Sequence, residues 1–256
     1  MKDLSVVIPA FNEGERLPPT LEKVRAYLNA GGWRSELIVS DDGSTDGSPE
    51  RLPPRFPNVT FLRAPRNQGK GAAVRRGVLR AQGDLILFSD ADLSTPIEEL
   101  EALRRAIVVD GCDIAIASRG LAESRLDVRQ PWWRELAGRT FNRLVRPLSG
   151  LPFRDTQCGF KLFRREAAHR LFSLARCDGW AFDVEVLMLA AQLGYSVAEV
   201  PVRWINAEGS KVRLFVDGPR MLRDILRFRW WRLRGLYRRP AAEPAATVSS
   251  SEGGGA

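Results

Sequence analysis

At 256 residues, with 44% hydrophobic and 27% charged side chains, the chain is too apolar to be a disordered segment and is long enough for one large α/β domain with a substantial core. Its net charge of +8 favours anionic partners: nucleic acid, acidic lipid headgroups or phosphorylated substrates. Cys112, Cys158 and Cys177 are scattered and form no CxxC pair, which excludes a disulfide framework or zinc cluster and suits a reducing compartment. The opening MKDLSVVIPAFNEGE meets acidic residues too early for a signal peptide. No run reaches the ~20 apolar residues of a membrane-spanning helix. A cytoplasmic location is expected.

In chain order, short aliphatic and β-branched runs predict strands at Leu4–Pro9, Glu36–Ser40, Val59–Leu62, Leu85–Ser89 and Ile114–Ala117. Helical patterns separate most of them, over about 14–30, 68–82 and 96–110. Near-continuous apolar strands alternating with helices predict a mostly parallel sheet covered on both faces. Beyond these come a Trp- and Arg-rich helix over Pro131–Leu148, a Gly/Pro loop, a strand near Phe160–Phe163 and a helix near Ala181–Leu193. A strand over Val197–Arg203 and a basic helix over about 218–238 follow. The segment from Pro240 to Ala256, PAAEPAATVSSSEGGGA, has the composition of a disordered tail.

Three acidic clusters follow three of these strands: Pro9-Ala10-Phe11-Asn12-Glu13, Asp41-Asp42-Gly43-Ser44-Thr45-Asp46 and Asp90-Ala91-Asp92. Any one alone reads as a solvated turn. In a parallel sheet all three share the rim where ligands bind. A basic protein that gathers carboxylates on one edge calls for a hard divalent cation there, Mg²⁺ or Mn²⁺, with a nucleotide diphosphate as its natural companion. The acidic rim also argues against a nucleic-acid partner.

VVIPAFNEGERL, SDDGSTDGS, RNQGKGAAVRRG and GDLILFSDADLST together resemble glycosyltransferase family 2, which has the GT-A fold. RDTQCGFKLF and GWAFDVEVLMLA resemble its dolichyl-phosphate β-glucosyltransferase and dolichyl-phosphate mannose synthase branches. The resemblance runs from about residue 3 to about 215. It implies an inverting, metal-dependent transfer of a hexose from a UDP-glucose or GDP-mannose type donor to a polyprenyl phosphate. It assigns Pro9, Phe11 and Glu13 to the base and ribose pocket, Asp42 to base or ribose, and Asp90 and Asp92, flanking Ala91, to the metal and diphosphate. Arg119 falls near the phosphates, and Arg203 and Lys211 form the basic pair of the lipid-phosphate branch. Many relatives carry C-terminal spanning helices that this sequence lacks, so another element has to meet the membrane. The expected organisation is a GT-A domain over 1–217, a basic membrane-surface helix over 218–239 and the tail over 240–256.

Other segments leave alternatives open. Asn67-Gln68-Gly69-Lys70-Gly71 starts a helix; either its N–H groups and Lys70 face an anion, or its small residues shape the donor pocket. Arg154-Asp155-Thr156-Gln157 carries more hydrogen-bonding groups than a plain loop needs, which marks Asp155 and Gln157 as sugar or acceptor contacts. Asp183 either caps its helix or reaches the acceptor. Cys158 and the lone His169 read as packing residues. A lipid phosphate is already anionic and needs only to be held in line, whereas a sugar hydroxyl needs a general base. Asp155 and Asp183 would be the bases if the acceptor is a saccharide hydroxyl. A non-catalytic nucleotide-sugar-binding relative is the third reading, against which stand the intact Asp90 and Asp92. In the last helix Leu222, Leu226, Trp230, Leu233 and Tyr237 share one face beside a strip of arginines. That pattern fits either an in-plane helix on an anionic membrane or a helix packed on the domain.

Overall fold

The computed structural model describes residues 2–127, 143–205, 214–238 and 247–249, without the side chains of 214–216 and 247–249. The first half alternates strand and helix as the apolar runs dictate: β1 (Leu4–Ala10), α1 (Leu17–Ala30), β2 (Ser35–Asp41), α2 (Ser48–Arg55), β3 (Val59–Arg63), α3 (Lys70–Arg80), β4 (Leu85–Ser89), α4 (Leu100–Val108) and β5 (Ile114–Ser118). A two-residue β6 (Arg125–Leu126) and the helical residues 143–149 (α5) lead to β7 (Phe160–Arg164), α6 (Arg165–Leu174) and α7 (Phe182–Leu193). The chain closes with β8 (Val197–Pro201), β9 (Arg203–Trp204), α8 (Leu214–Leu233) and β10 (Thr247–Ser249).

Among the described residues the main sheet has eight strands in the order β10-β3-β2-β1-β4-β7-β5-β8. The pairs β1–β2, β1–β4, β2–β3 and β5–β8 are parallel, while β7 runs antiparallel between β4 and β5. This is the expected mostly parallel α/β sheet. Alternate residues of each strand feed two cores. Val7, Ile86 and Phe88 face α3, α6, α7 and α8, whereas Val6, Ile8 and Leu87 face α1 and α4. Each fully buried aliphatic or phenyl side chain adds roughly 1.5–3 kcal/mol, so a sheet apolar on both faces is stable only when helices cover both.

Two helices escape the sequence pattern. α2 (SPERLPPR) is short and has Pro53 and Pro54 inside it, which makes it read as a loop. α6 follows β7 without a break and buries Ala167, Ala168, Leu171 and Phe172. Of the helix expected over Pro131–Leu148, residues 143–148 are helical and the others lie outside the described residues. The strand expected over Val197–Arg203 is divided, because Pro201 has no N–H to continue the ladder. β9 turns away to pair with β6.

The C-terminus departs from expectation in three ways. α8 starts at Leu214, so the boundary drawn at 217/218 falls inside a helix. Its buried face is Met221, Ile225 and Phe228, which join the core beside α7; of the stripe set out for a membrane or for packing, Leu226, Trp230 and Leu233 are exposed, whereas Leu222 and Tyr237 turn toward the core. Tyr237 itself is buried and donates to Glu185 Oε1 at 2.8 Å. Finally, Thr247–Ser249, within the tail expected to be disordered, pairs antiparallel with β3. β3 would otherwise present an edge of unpaired N–H and C=O groups, and Thr-Val is a good strand former. No helix among the described residues is long and apolar enough to cross a membrane.

Candidate active site

Because β1, β2 and β4 are parallel, the three acidic loops converge on one rim. The first two are stitched into a wall: Asp42 N donates to Ala10 O (2.8 Å), Asn12 N to Ser44 Oγ (2.8 Å) and Thr45 N to Asn12 Oδ1 (2.8 Å). Asn12 adopts φ 52°, a left-handed conformation that asparagine tolerates. Pro9 is buried in β1, while Phe11 and Glu13 are half-buried on the loop, with Arg16 reaching Glu13 at 3.6 Å.

Asp42, expected at the base or ribose, is buried, and its carboxylate accepts from Gln68 N, Gly69 N and Arg76 Nη2. The anion at the start of α3 is therefore Asp42 itself, and its observed task is to brace the Gly-rich loop. The glycines there answer to protein backbone. A Cβ on Gly69 would lie 2.3 Å from Asp178 O, and one on Gly71 2.3 Å from Cys177 O. Of the two roles left open for this loop, these contacts are those of pocket shaping.

At the end of β4, Asp90 N donates to Gly159 O (2.9 Å), and Asp92 Oδ1 accepts from Ser94 N (2.9 Å). Ala91 is buried and its carbonyl takes the Thr20 hydroxyl at 2.7 Å. Leu93 has φ 46°, a costly conformation for a non-glycine residue, held here by the loop that carries the two carboxylates. Gly159 is required because a Cβ would sit 1.9 Å from Asp90 Oδ2. Lys70 Nζ contacts Asp90 Oδ1 at 2.6 Å and lies over the rings of Phe88 (5.3 Å) and Trp180 (5.4 Å). Burial works against the Lys70 charge, but Asp90 and then Asp183 outweigh it and hold the ammonium above its usual range.

A divalent cation fits this donor set. Asp90 and Asp92 offer oxygen only, and the Lys70 ammonium already stands on Asp90 as a cation. Among the described residues no group of three or more His, Cys, Asp or Glu could hold a metal ion. The protein's share would thus be two carboxylates, the pattern in which substrate phosphates and water complete the shell.

Behind the rim lie two ion pairs: Lys161–Asp183, buried on both sides, and Arg119–Asp155, in which the carboxylate is buried and Arg119 is partly exposed. Asp155 accepts from Arg119 Nε (2.6 Å), Nη2 (3.0 Å) and N (3.1 Å), and from Gln157 N (3.1 Å). Burial opposes ionisation of Asp155, but Arg119 prevails and holds the carboxyl at about 2. Asp183 pairs with Lys161 Nζ at 2.5 Å, and Lys161 also donates to Cys158 O at 2.6 Å. Burial holds Asp183 above the usual carboxylate range, opposed by Lys161 and then Lys70. Both aspartates named as bases for a hydroxyl acceptor are thus engaged in ion pairs, Asp155 with Arg119 and Asp183 with Lys161. Cys158 is buried, its thiol pushed up to about 11 by desolvation, which agrees with a packing role.

Arg119 stacks its guanidinium over Trp204 (5.6 Å), and Ile205 N donates to Ser94 O (2.7 Å), so β9 runs beside the loop of Asp92. Arg203, on β9, is 53% exposed and pairs with Asp127. Gln157 points its amide at Met221 Sδ of α8 (3.9 Å). Lys211 lies outside the described residues. Lys161 and Trp180 were missed as site residues. A lysine inside the otherwise apolar strand FKLF was the available signal.

The sequence matches the Glycosyl transferase family 2 profile over residues 5–172. The chain belongs to that family. This family 2 glycosyltransferase is 36% identical over 251 residues to dolichyl-phosphate beta-glucosyltransferase of Dictyostelium discoideum, covering 92% of this chain and 76% of the relative. The Homo sapiens protein of the same name is 36% identical over 252 residues, covering 93% and 78%. Among solved structures, glucosyl-3-phosphoglycerate synthase from Mycobacterium tuberculosis in complex with UDP superposes with a TM-score of 0.64 at 23% identity, covering 94% of this chain and 82% of that one. Mannosyl-3-phosphoglycerate synthase from Rubrobacter xylanophilus gives 0.66 at 19%, covering 93% and 75%. The glycosyltransferase has their GT-A fold.

Proposed function

We propose that this glycosyltransferase moves glucose from UDP-glucose to a polyprenyl phosphate of the dolichyl type, with inversion, at a membrane surface. The names of its relatives supply the substrate class. The observation that carries the reading is that both candidate bases, Asp155 and Asp183, are buried carboxylates already engaged in ion pairs, with Arg119 and Lys161 respectively. With those two carboxylates engaged, the site suits a nucleophile that arrives already ionised. Asp90 and Asp92 would hold Mg²⁺ or Mn²⁺, which supplies positive charge where the leaving diphosphate gains negative charge. Asp155 keeps Arg119 aimed and charged beside the diphosphate, Lys161 fixes Asp183, and the wall of Pro9, Phe11, Glu13 and Asp42 frames the nucleoside. Gln157 and Lys70 complete the donor side. Arg203 and Lys211 receive the acceptor phosphate. An exposed Arg203–Asp127 pair is worth under about 1 kcal/mol, so a lipid phosphate readily displaces Asp127.

The test is transfer with purified protein, UDP-glucose, Mn²⁺ and a short polyprenyl phosphate, products resolved by mass, with 3-phosphoglycerate and a saccharide as rival acceptors. Arg203→Ala should weaken use of the lipid phosphate roughly 10- to 100-fold, the worth of one charge-assisted hydrogen bond, while UDP affinity stays level in calorimetry. Glucosylation of a rival acceptor alone, or equal losses in both measurements, would overturn the acceptor assignment.

The membrane contact falls to the outer face of α8. Leu226 (53% exposed), Trp230 (50%) and Leu233 (82%) form an apolar stripe facing away from the core, among Arg223, Arg227 and Arg234. Arg234 lies over the Trp230 ring at 5.2 Å. Such a face complements an anionic bilayer, where each basic residue adds about 1 kcal/mol. Deleting the chain from Pro219 would strip Met221, Ile225 and Phe228 from the core, so point changes are the proper probe. Trp230→Ser/Leu233→Ser should reduce cosedimentation with phosphatidylserine vesicles by tenfold or more at low salt, and high salt should do the same to the wild type. Unchanged cosedimentation of the double variant would sink this assignment.

A further inference from the structure

We propose that Lys70 is a resident cation of the Asp-x-Asp motif, so that a divalent ion binds this site tightly only together with the nucleotide diphosphate; the proposal rests on the metal reading given above. Lys70 Nζ occupies Asp90 Oδ1 at 2.6 Å, and its side chain is only 17% exposed. Phe88 and Trp180 present their rings to the ammonium from 5.3 and 5.4 Å, a setting that favours a cation in place.

The backbone beneath cannot retreat. Gly69 and Gly71 press against the carbonyls of Asp178 and Cys177, and Ala72 N donates to Asp178 O at 3.2 Å. Asp90 is equally fixed, with its amide on Gly159 O and no room beside Gly159 for even a methyl group. What can move is the four-carbon stem of Lys70.

A metal ion and an ammonium at hydrogen-bond range of one carboxylate oxygen repel each other, and lysine has no lone pair with which to join the coordination shell. The ion alone therefore competes with Lys70 for Asp90. A diphosphate changes the balance, because it gives Lys70 a second anionic partner within reach of its stem and supplies oxygens to the incoming ion. Metal and nucleotide then strengthen each other's binding by the same factor.

The measurement is Mn²⁺ binding, followed by electron paramagnetic resonance of the free ion, with and without UDP and with no acceptor present. Wild type should bind Mn²⁺ alone weakly and gain strongly from UDP. Lys70→Met should bind Mn²⁺ alone at least tenfold more tightly than wild type and gain less from UDP, and Lys70→Gln should behave likewise. Lys70→Arg, which keeps a cation on Asp90, should stay close to wild type. Melting curves confirm that each variant is folded. If neither neutral variant binds Mn²⁺ alone more tightly, while Asp90→Asn abolishes binding, Lys70 is no competitor and the proposal falls by itself. If binding survives Asp90→Asn, the ion sits elsewhere and the proposal falls together with the metal assignment.

Discussion

Replacing Asp92 with alanine should lower turnover by about 10²- to 10³-fold, the usual worth of one preorganised charge-stabilising group, about 3–4 kcal/mol. Asp92 is half-buried, and among the described residues its carboxylate accepts a hydrogen bond from Ser94 N, two residues on in the same turn. Loss of that bond costs about 1 kcal/mol, so the variant should melt within a few degrees of wild type. EDTA should reproduce the defect in the wild-type enzyme, and added Mn²⁺ or Mg²⁺ should restore it. Neither metal should restore Asp92→Ala. Full activity in EDTA would remove the metal from the mechanism and leave the two aspartates as hydrogen-bonding groups only.

Lys161→Met should destabilise the fold by about 3–5 kcal/mol, because it leaves the Asp183 carboxylate buried without its partner. Both side chains are almost wholly buried, between the Phe88 ring and the first turn of α7. The double variant Lys161→Met/Asp183→Leu should recover most of that loss in denaturant unfolding, since a buried ion pair can be exchanged for apolar packing. The sign with pH follows from burial, which holds Asp183 above the usual carboxylate range even in the intact protein. Such a group binds a proton more readily folded than unfolded. The deficit of Lys161→Met should therefore shrink as pH falls and grow as pH rises through the folded-state value. A loss under about 1 kcal/mol, or no recovery in the double variant, would show that the pair is not energetically coupled.

The same pair marks the limit of what the sequence discloses. Lys161 can be seen to be out of place in FKLF, but nothing local says that its partner is Asp183, 22 positions later. Arg119 and Asp155, 36 apart, were each singled out, one for phosphate and one for sugar, and only the fold shows that they hold each other. The resemblance implies a base or ribose contact for Asp42, and only the fold shows that the Gly-rich loop 26 residues on donates to its carboxylate.

What the sequence by itself determined is the part that rests on local periodicity. Apolar runs of strand length split by helices dictate a covered parallel sheet, and a parallel sheet brings Glu13, Asp42, Asp90 and Asp92 to one rim whatever else happens. Tertiary structure decided the rest. It set the reversed direction of β7 between β4 and β5, the addition of Thr247–Ser249 to the β3 edge, and the face that α8 turns inward. Helical projection ranks the sides of α8 by hydrophobicity, but both Ile225 and Leu226 lie on apolar sides. Which one is buried depends on the shape of the wall that α6 and α7 present, and that wall exists only once distant segments have packed. Ion pairing obeys the same rule: charge is written in the sequence, whereas its partner is chosen by distance in space and by the cost of leaving either member buried alone.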